Sequence, residues 1–92
     1  MITVGMTFKI VLGKEEQFED AYKKILNVLN HAEGHSGSRL YRDSEDPSTF
    51  LLMSEWLDQR AFDICIDSKQ YREAVDWNRE QILAGKIHHR IF

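Results

Sequence analysis

One cysteine, one proline and five glycines in 92 residues are scant means for staples or irregular loops. A lone thiol, Cys65, cannot close an internal disulfide, which points to a reducing compartment, and a cytoplasmic location is expected. No apolar run approaches the roughly 20 residues that a membrane span needs, so no membrane partner is expected. A basic segment followed by a short apolar stretch and small residues is also missing at the N-terminus, so no signal peptide is expected. Positive charge is sparse. The net charge is -3, and no Lys/Arg run exceeds two neighbours, which gives nucleic acid no basic face. Glycine-rich phosphate loops, CxxC, HExxH and GxSxG motifs are all absent, so nucleotide, zinc and serine-hydrolase chemistry find no support. No metal site and no bound cofactor are expected.

What is present is periodicity. Ile2, Val4, Met6, Phe8, Ile10 and Leu12 alternate with Thr3, Gly5, Thr7 and Lys9, which predicts a strand over 2–12 with one buried face. Gly13 turns the chain into a helix that opens on Glu15 and Glu16, placed where the macrodipole favours acids. Phe18, Ala21, Tyr22, Ile25, Leu26 and Leu29 recur at helical spacing, and Gly34 is expected to lie beyond the helix end. The segment 35–37 reads as loop, 38–42 as a strand and 43–48 as a turn around Pro47. Thr49 to Trp56 reads as a third strand, with Phe50, Leu52, Ser54 and Trp56 on one side and Leu51, Met53 and Glu55 on the other. Asp58 predicts a cap for a short helix with Ala61, Phe62 and Cys65 inward. Asp67-Ser68 predicts another cap, for a helix sharing Tyr71, Ala74, Val75, Asn78 and Ile82, stopped at Gly85. Residues 86–92 read as the last strand.

The order β-α-β-β-α-α-β predicts a single α+β domain over 1–92, a ferredoxin-like antiparallel sheet with helices on one face. Because the third strand is apolar on both sides, a homodimer through the open sheet face is expected.

The stretches Met1-Ile2-Thr3-Val4, Gly13-Lys14-Glu15-Glu16-Gln17-Phe18 and Asp46 through Trp56, followed by Ala61-Phe62 and the serine at Ser68, resemble the antibiotic biosynthesis monooxygenase (ABM) domain. The resemblance implies a dimeric α+β barrel with a pocket between sheet and helices in each subunit. It also implies, for several members, cofactor-independent oxygenation of polyphenolic or anthrone-like substrates to quinones. An electron-rich phenolate can itself reduce O2, so such a protein supplies deprotonation, desolvation and orientation.

Quinone-forming members carry a tryptophan that Trp56 matches. Leu52 stands where they have asparagine and Phe62 where they have tyrosine, and no arginine matches cleanly, with Ala74 in register and Arg72 nearby. Haem-degrading members have an asparagine, a tryptophan and a histidine ligand where this chain has Met6, Cys65 and Val75. Valine cannot be an axial ligand, so haem degradation is not expected. Other members have histidines at the positions of Cys65 and Gln70.

The expected pocket is therefore lined by Met6, Leu52, Trp56, Phe62, Cys65 and Tyr71. Trp56, His89 and Tyr71 are the candidate catalytic groups; Met6, Leu52, Phe62 and Cys65 are the candidate substrate contacts. His88 and His89 point to opposite sheet faces and cannot share a metal, but one imidazole facing the pocket is a candidate general base. His31 and His35 flank a helix end and read as exposed or capping. Cys65 and Tyr22 read as core, Trp77 as cover for a dimer edge, and Arg90 as a partner for an acid or an anionic ligand. The activity expected is oxygenase-like, on a small aromatic or quinol-type compound. The alternative is a binding or stress-response module holding a small apolar ligand without turnover, or a subunit whose sheet mainly mediates association.

Overall fold

In the computed structural model, which describes residues 1–76 and 82–92, the order of elements follows the expectation. Strand β1 is Ile2–Lys9, helix α1 Glu15–Asn30, β2 His35–Arg42, β3 Thr49–Trp56, α2 Gln59–Asp67, α3 Lys69–Val75 and β4 His88–Ile91. The four strands form one antiparallel sheet in the order β2-β3-β1-β4. This is the ferredoxin-like α+β arrangement. Among the described residues no helix is long and apolar enough to cross a membrane.

Alternation explains the central strands. Val4, Met6, Phe8 and Ile10 from β1 and its extension are buried, as are Phe50, Leu52, Ser54 and Trp56 from β3. In register, Met6 lies opposite Leu52 on one side and His89 on the other. Helix α1 docks through Phe18, Ala21, Ile25 and Leu29. The Phe18 ring sits 5.2 Å from Phe8 and 4.7 Å from Phe50, a three-ring cluster that pins the helix to β1 and β3. Each such ring contributes roughly 1.5–3 kcal/mol by leaving water, so this cluster outweighs any single cap or surface ion pair.

Several boundaries differ from the periodicity. Strand β1 stops at Lys9; Ile10 makes only an isolated bridge to Leu83, and Leu12 is 82% exposed. Apolar alternation alone does not show where a partner strand runs out. Strand β2 begins at His35, because a register shift between His35 and Gly37 lets the segment read as loop pair with the end of β3. The last strand is four residues long rather than seven. Helix α3, expected to run to Gly85, ends at Val75 with Asp76 as its C-cap, and Leu83 bridges Ile10 two residues before that glycine. Asn78 and Trp77, expected on a helix face and at a dimer edge, lie outside the described residues.

Both predicted caps are present. Asp58 accepts from the Ala61 N–H at 2.9 Å. Ser68 accepts from the Tyr71 N–H at 3.1 Å and donates to the Cys65 carbonyl at 2.6 Å, so one hydroxyl joins the end of α2 to the start of α3. The outer sheet face is apolar at its centre. Phe92 lies across Gly5, where a Cβ would come within 2.9 Å of the ring, with Leu51 and Met53 alongside. Arg90 stacks its guanidinium 5.3 Å from the Phe92 centroid.

Candidate functional site

The sheet brings the expected site residues onto one face. From the β2 edge to the β4 edge runs an aromatic row: His35 to Trp56 at 5.0 Å, Trp56 to Phe62 at 5.6 Å and Phe62 to His89 at 5.4 Å. Met6, Leu52, Trp56 and Phe62 are nevertheless no more than 2% exposed, and Cys65 and Tyr71 are buried as well. Only His89, on the edge strand, is open to solvent. The expected pocket lining is thus a filled core with one exposed imidazole at its margin.

Inside that core a single polar side chain is buried among the described residues, Ser54. Its Oγ accepts from Trp56 Nε1 at 2.9 Å, which satisfies the indole and fixes its plane. His35, half-buried beside Trp56, shares a 2.7 Å hydrogen bond between Nε2 and Ser38 Oγ. Burial pushes its pKa below the ordinary imidazole value, against a backbone bond to Gly37 that pulls the other way. Burial pushes the Cys65 thiol up, and the Tyr22 phenol likewise. Cys65 is therefore held as a thiol rather than a thiolate.

Open space lies elsewhere. A half-open cavity of about 710 Å3 runs between the C-terminal end of α1 and the outward face of α2. Arg60, Ala61 and Ile64 of α2, with Leu57 just before its N-cap and Ser68 at its C-cap, form one wall, and Cys65 is the one expected site residue that reaches it. Ile64 is 61% exposed, so α2 carries apolar groups on two sides, one packed on the sheet and one facing the cavity, and Leu57, just ahead of its cap, is 64% exposed. The opposite wall is Asn27, Val28 and His31. Gly34 sits at one end, where it approaches Ala61 so closely that a Cβ would lie 2.6 Å away.

Sequence reasoning missed this cavity. A signal was available in Leu57 and Ile64, both apolar and outside the inward set of Ala61, Phe62 and Cys65; Ala61, read as inward, also lines the cavity. His31, read as exposed or capping, is the C-cap of α1, and its Nδ1–H donates to the Asn27 carbonyl at 2.8 Å. Among the described residues, no three His, Cys, Asp or Glu side chains group to hold a metal ion.

The family model for antibiotic biosynthesis monooxygenases matches residues 1–77. The chain belongs to that family. Structural comparison agrees with the ABM assignment at the level of fold. SnoaB, a cofactor-independent oxygenase from Streptomyces nogalater, superposes with a TM-score of 0.85 at 16% identity, over 99% of this chain and 89% of that one. A conserved protein from Methanosarcina mazei Go1 gives 0.86 at 21% identity, over 99% and 89%. Among curated proteins, a candidate heme-binding protein of Natronomonas pharaonis is 26% identical over 95% of this chain. The ABM chain spans only 14% of that relative's length.

Proposed function

We propose that this ABM domain takes a small aromatic compound of phenol or quinol type into the cavity between α1 and α2 and promotes its oxidation by O2. The observation that carries the reading is the cavity itself: its size suits the roughly 300–1,000 Å3 of small-ligand sites. Its apolar walls and few polar groups suit an aromatic ring with one or two hydroxyls. In the monooxygenase form of the reaction, a CH2 group becomes C=O, one oxygen atom going to carbon and the other leaving as water with the two hydrogens. The chain's share is to desolvate and orient the ring and to help remove a proton.

In this proposal Cys65 alone of the expected residues meets the ligand; Trp56, Phe62, Tyr71, Met6 and Leu52 form the packed core behind it, and His89 stands at that core's margin. A second reading, binding without turnover, is supported by the filled packing around Trp56. Oxygen uptake with anthrone and 1,4-naphthohydroquinone separates the two. Uptake above an unfolded-protein control supports oxidation. Binding without uptake selects the second reading. Failure to bind either compound overturns both.

Haem, suggested by the name of the Natronomonas relative, does not suit the residues at the positions the family resemblance indicates. Met6 is 2% exposed and wedged between Leu52 and His89, Val75 offers no ligand atom, and Cys65 is held as a thiol. We further propose that a second copy covers the outer sheet face over Leu51, Met53 and Phe92, and that the lone reduced thiol reflects a cytoplasmic setting.

A further inference from the structure

We propose that His31, through Nε2, accepts the hydroxyl proton of the phenolic ligand in the α1–α2 cavity; the inference rests on the ligand class proposed above. Three observations carry it. His31 lines the cavity opposite Leu57, Ala61 and Ile64. Its Nδ1 must be the donor in the bond to Asn27, because a carbonyl can only accept. In the neutral ring that assigns the lone pair to Nε2, which has no other partner among the described residues.

An acceptor nitrogen beside an apolar wall recognises an O–H group. A ligand carrying an ether in place of the hydroxyl gains nothing from it. The step is a simple transfer: the phenol O–H bond breaks, the proton moves to Nε2, and the electron pair stays on the phenolate oxygen. The Nδ1–H bond to Asn27 is the same before and after, so the ring need not turn. Arg60, on the facing wall and without an ion pair among the described residues, is the cation available to the phenolate. The other charged groups lining the cavity are Glu33 and Asp58, and Asp58 is engaged in capping α2. Burial pushes the Cys65 thiol up, and the remaining polar side chains of the lining, Asn27, Ser68 and Gln70, do not titrate in the working range.

The test uses 4-nitrophenol, whose phenolate is coloured, and 4-nitroanisole, its methyl ether, at a pH where free 4-nitrophenol is largely colourless. Wild-type protein is expected to bind 4-nitrophenol with appearance of the phenolate band. His31→Gln keeps a hydrogen-bond acceptor but takes no proton, so it should bind with the band lost. His31→Ala should weaken 4-nitrophenol binding about tenfold, the loss of one hydrogen bond. Neither variant should alter 4-nitroanisole binding, and His31 is exposed enough that both should keep the far-UV spectrum. An unchanged phenolate band in His31→Gln overturns the role of His31 and leaves the binding proposal standing. Equal loss of both ligands in the variants also overturns it, since His31 would then only shape the wall. No binding of either ligand by the wild type overturns both proposals.

Discussion

Gly34→Ala is expected to be among the more damaging single-methyl additions in this domain, and Gly13→Ala supplies its control. Both glycines hold positive φ, +88° and +90°. An alanine at either position therefore meets the same backbone penalty, about 1–2 kcal/mol for a left-handed L-residue. They differ in surroundings. Nothing lies within 4 Å of a Cβ at Gly13, whereas a Cβ at Gly34 would stand 2.6 Å from Ala61 Cβ and 3.6 Å from Leu57 Cβ. The Ala61 methyl is fixed to the backbone of α2 and cannot swing aside, so the helix must move. Overpacking of this kind adds about 1–3 kcal/mol, giving roughly 2–5 kcal/mol in all for Gly34→Ala. In a domain of this size that is a fall of roughly 8–40 °C in Tm. Urea denaturation followed by circular dichroism measures both variants. The double variant Gly34→Ala/Ala61→Gly should recover the steric part relative to Ala61→Gly alone. Equal losses at Gly13 and Gly34, or no coupling between 34 and 61, would refute the close approach and with it the position of α2.

Ser54→Ala should cost about 1–3 kcal/mol, because it strands the buried Trp56 Nε1–H; adding Trp56→Phe should cost less than the sum of the two changes by urea denaturation. His35, whose pKa is depressed by burial, folds best when neutral. Its contribution is present above the ordinary imidazole value of about 6.5 and is lost as pH falls through the lower folded value. Stability measured against pH should therefore decline below about 6.5 and flatten in His35→Gln; an unchanged slope in the variant would refute this. Asp46, lowered by its bonds to Thr49 and Ser48, acts only further into acid, so the two windows separate. Phe92→Asp should shift sedimentation at micromolar concentration from dimer toward monomer, and a wild-type monomer would remove the sheet-face proposal.

The alternation in β1 made the sheet legible, because strict period two over Ile2–Phe8 admits one buried set, whereas β3, apolar on both sides, was legible as a strand but not as to its buried face. Asp58 and Ser68 were legible as caps for the same kind of reason, since the need of a helix N-terminus is local. Pairing was not. His35 joins β2 only because a bulge brings a polar, glycine-containing segment against Trp56, and no local pattern encodes that partner. The site was the least legible part. Spacing marked Met6 and Trp56 as strand positions and Phe62 as the inward side of α2, yet it cannot distinguish residues that line a cavity from residues that fill it. Whether space remains depends on how α1 and α2 diverge, which is set by contacts such as Gly34 on Ala61 between distant parts of the chain. The second apolar stripe of α2 was the one local clue.

The sheet order has a consequence for how the molecule comes into being. The strand made first, β1, sits in the interior, and its neighbours are supplied by residues 49–56 and 88–91. A chain emerging from the ribosome must therefore carry β1 with both hydrogen-bonding edges open until β3 arrives, and with one edge open until Ile91 reaches Val4. Such long-range closure slows assembly and prolongs the interval in which an apolar strand can be captured by another chain or shielded by a chaperone.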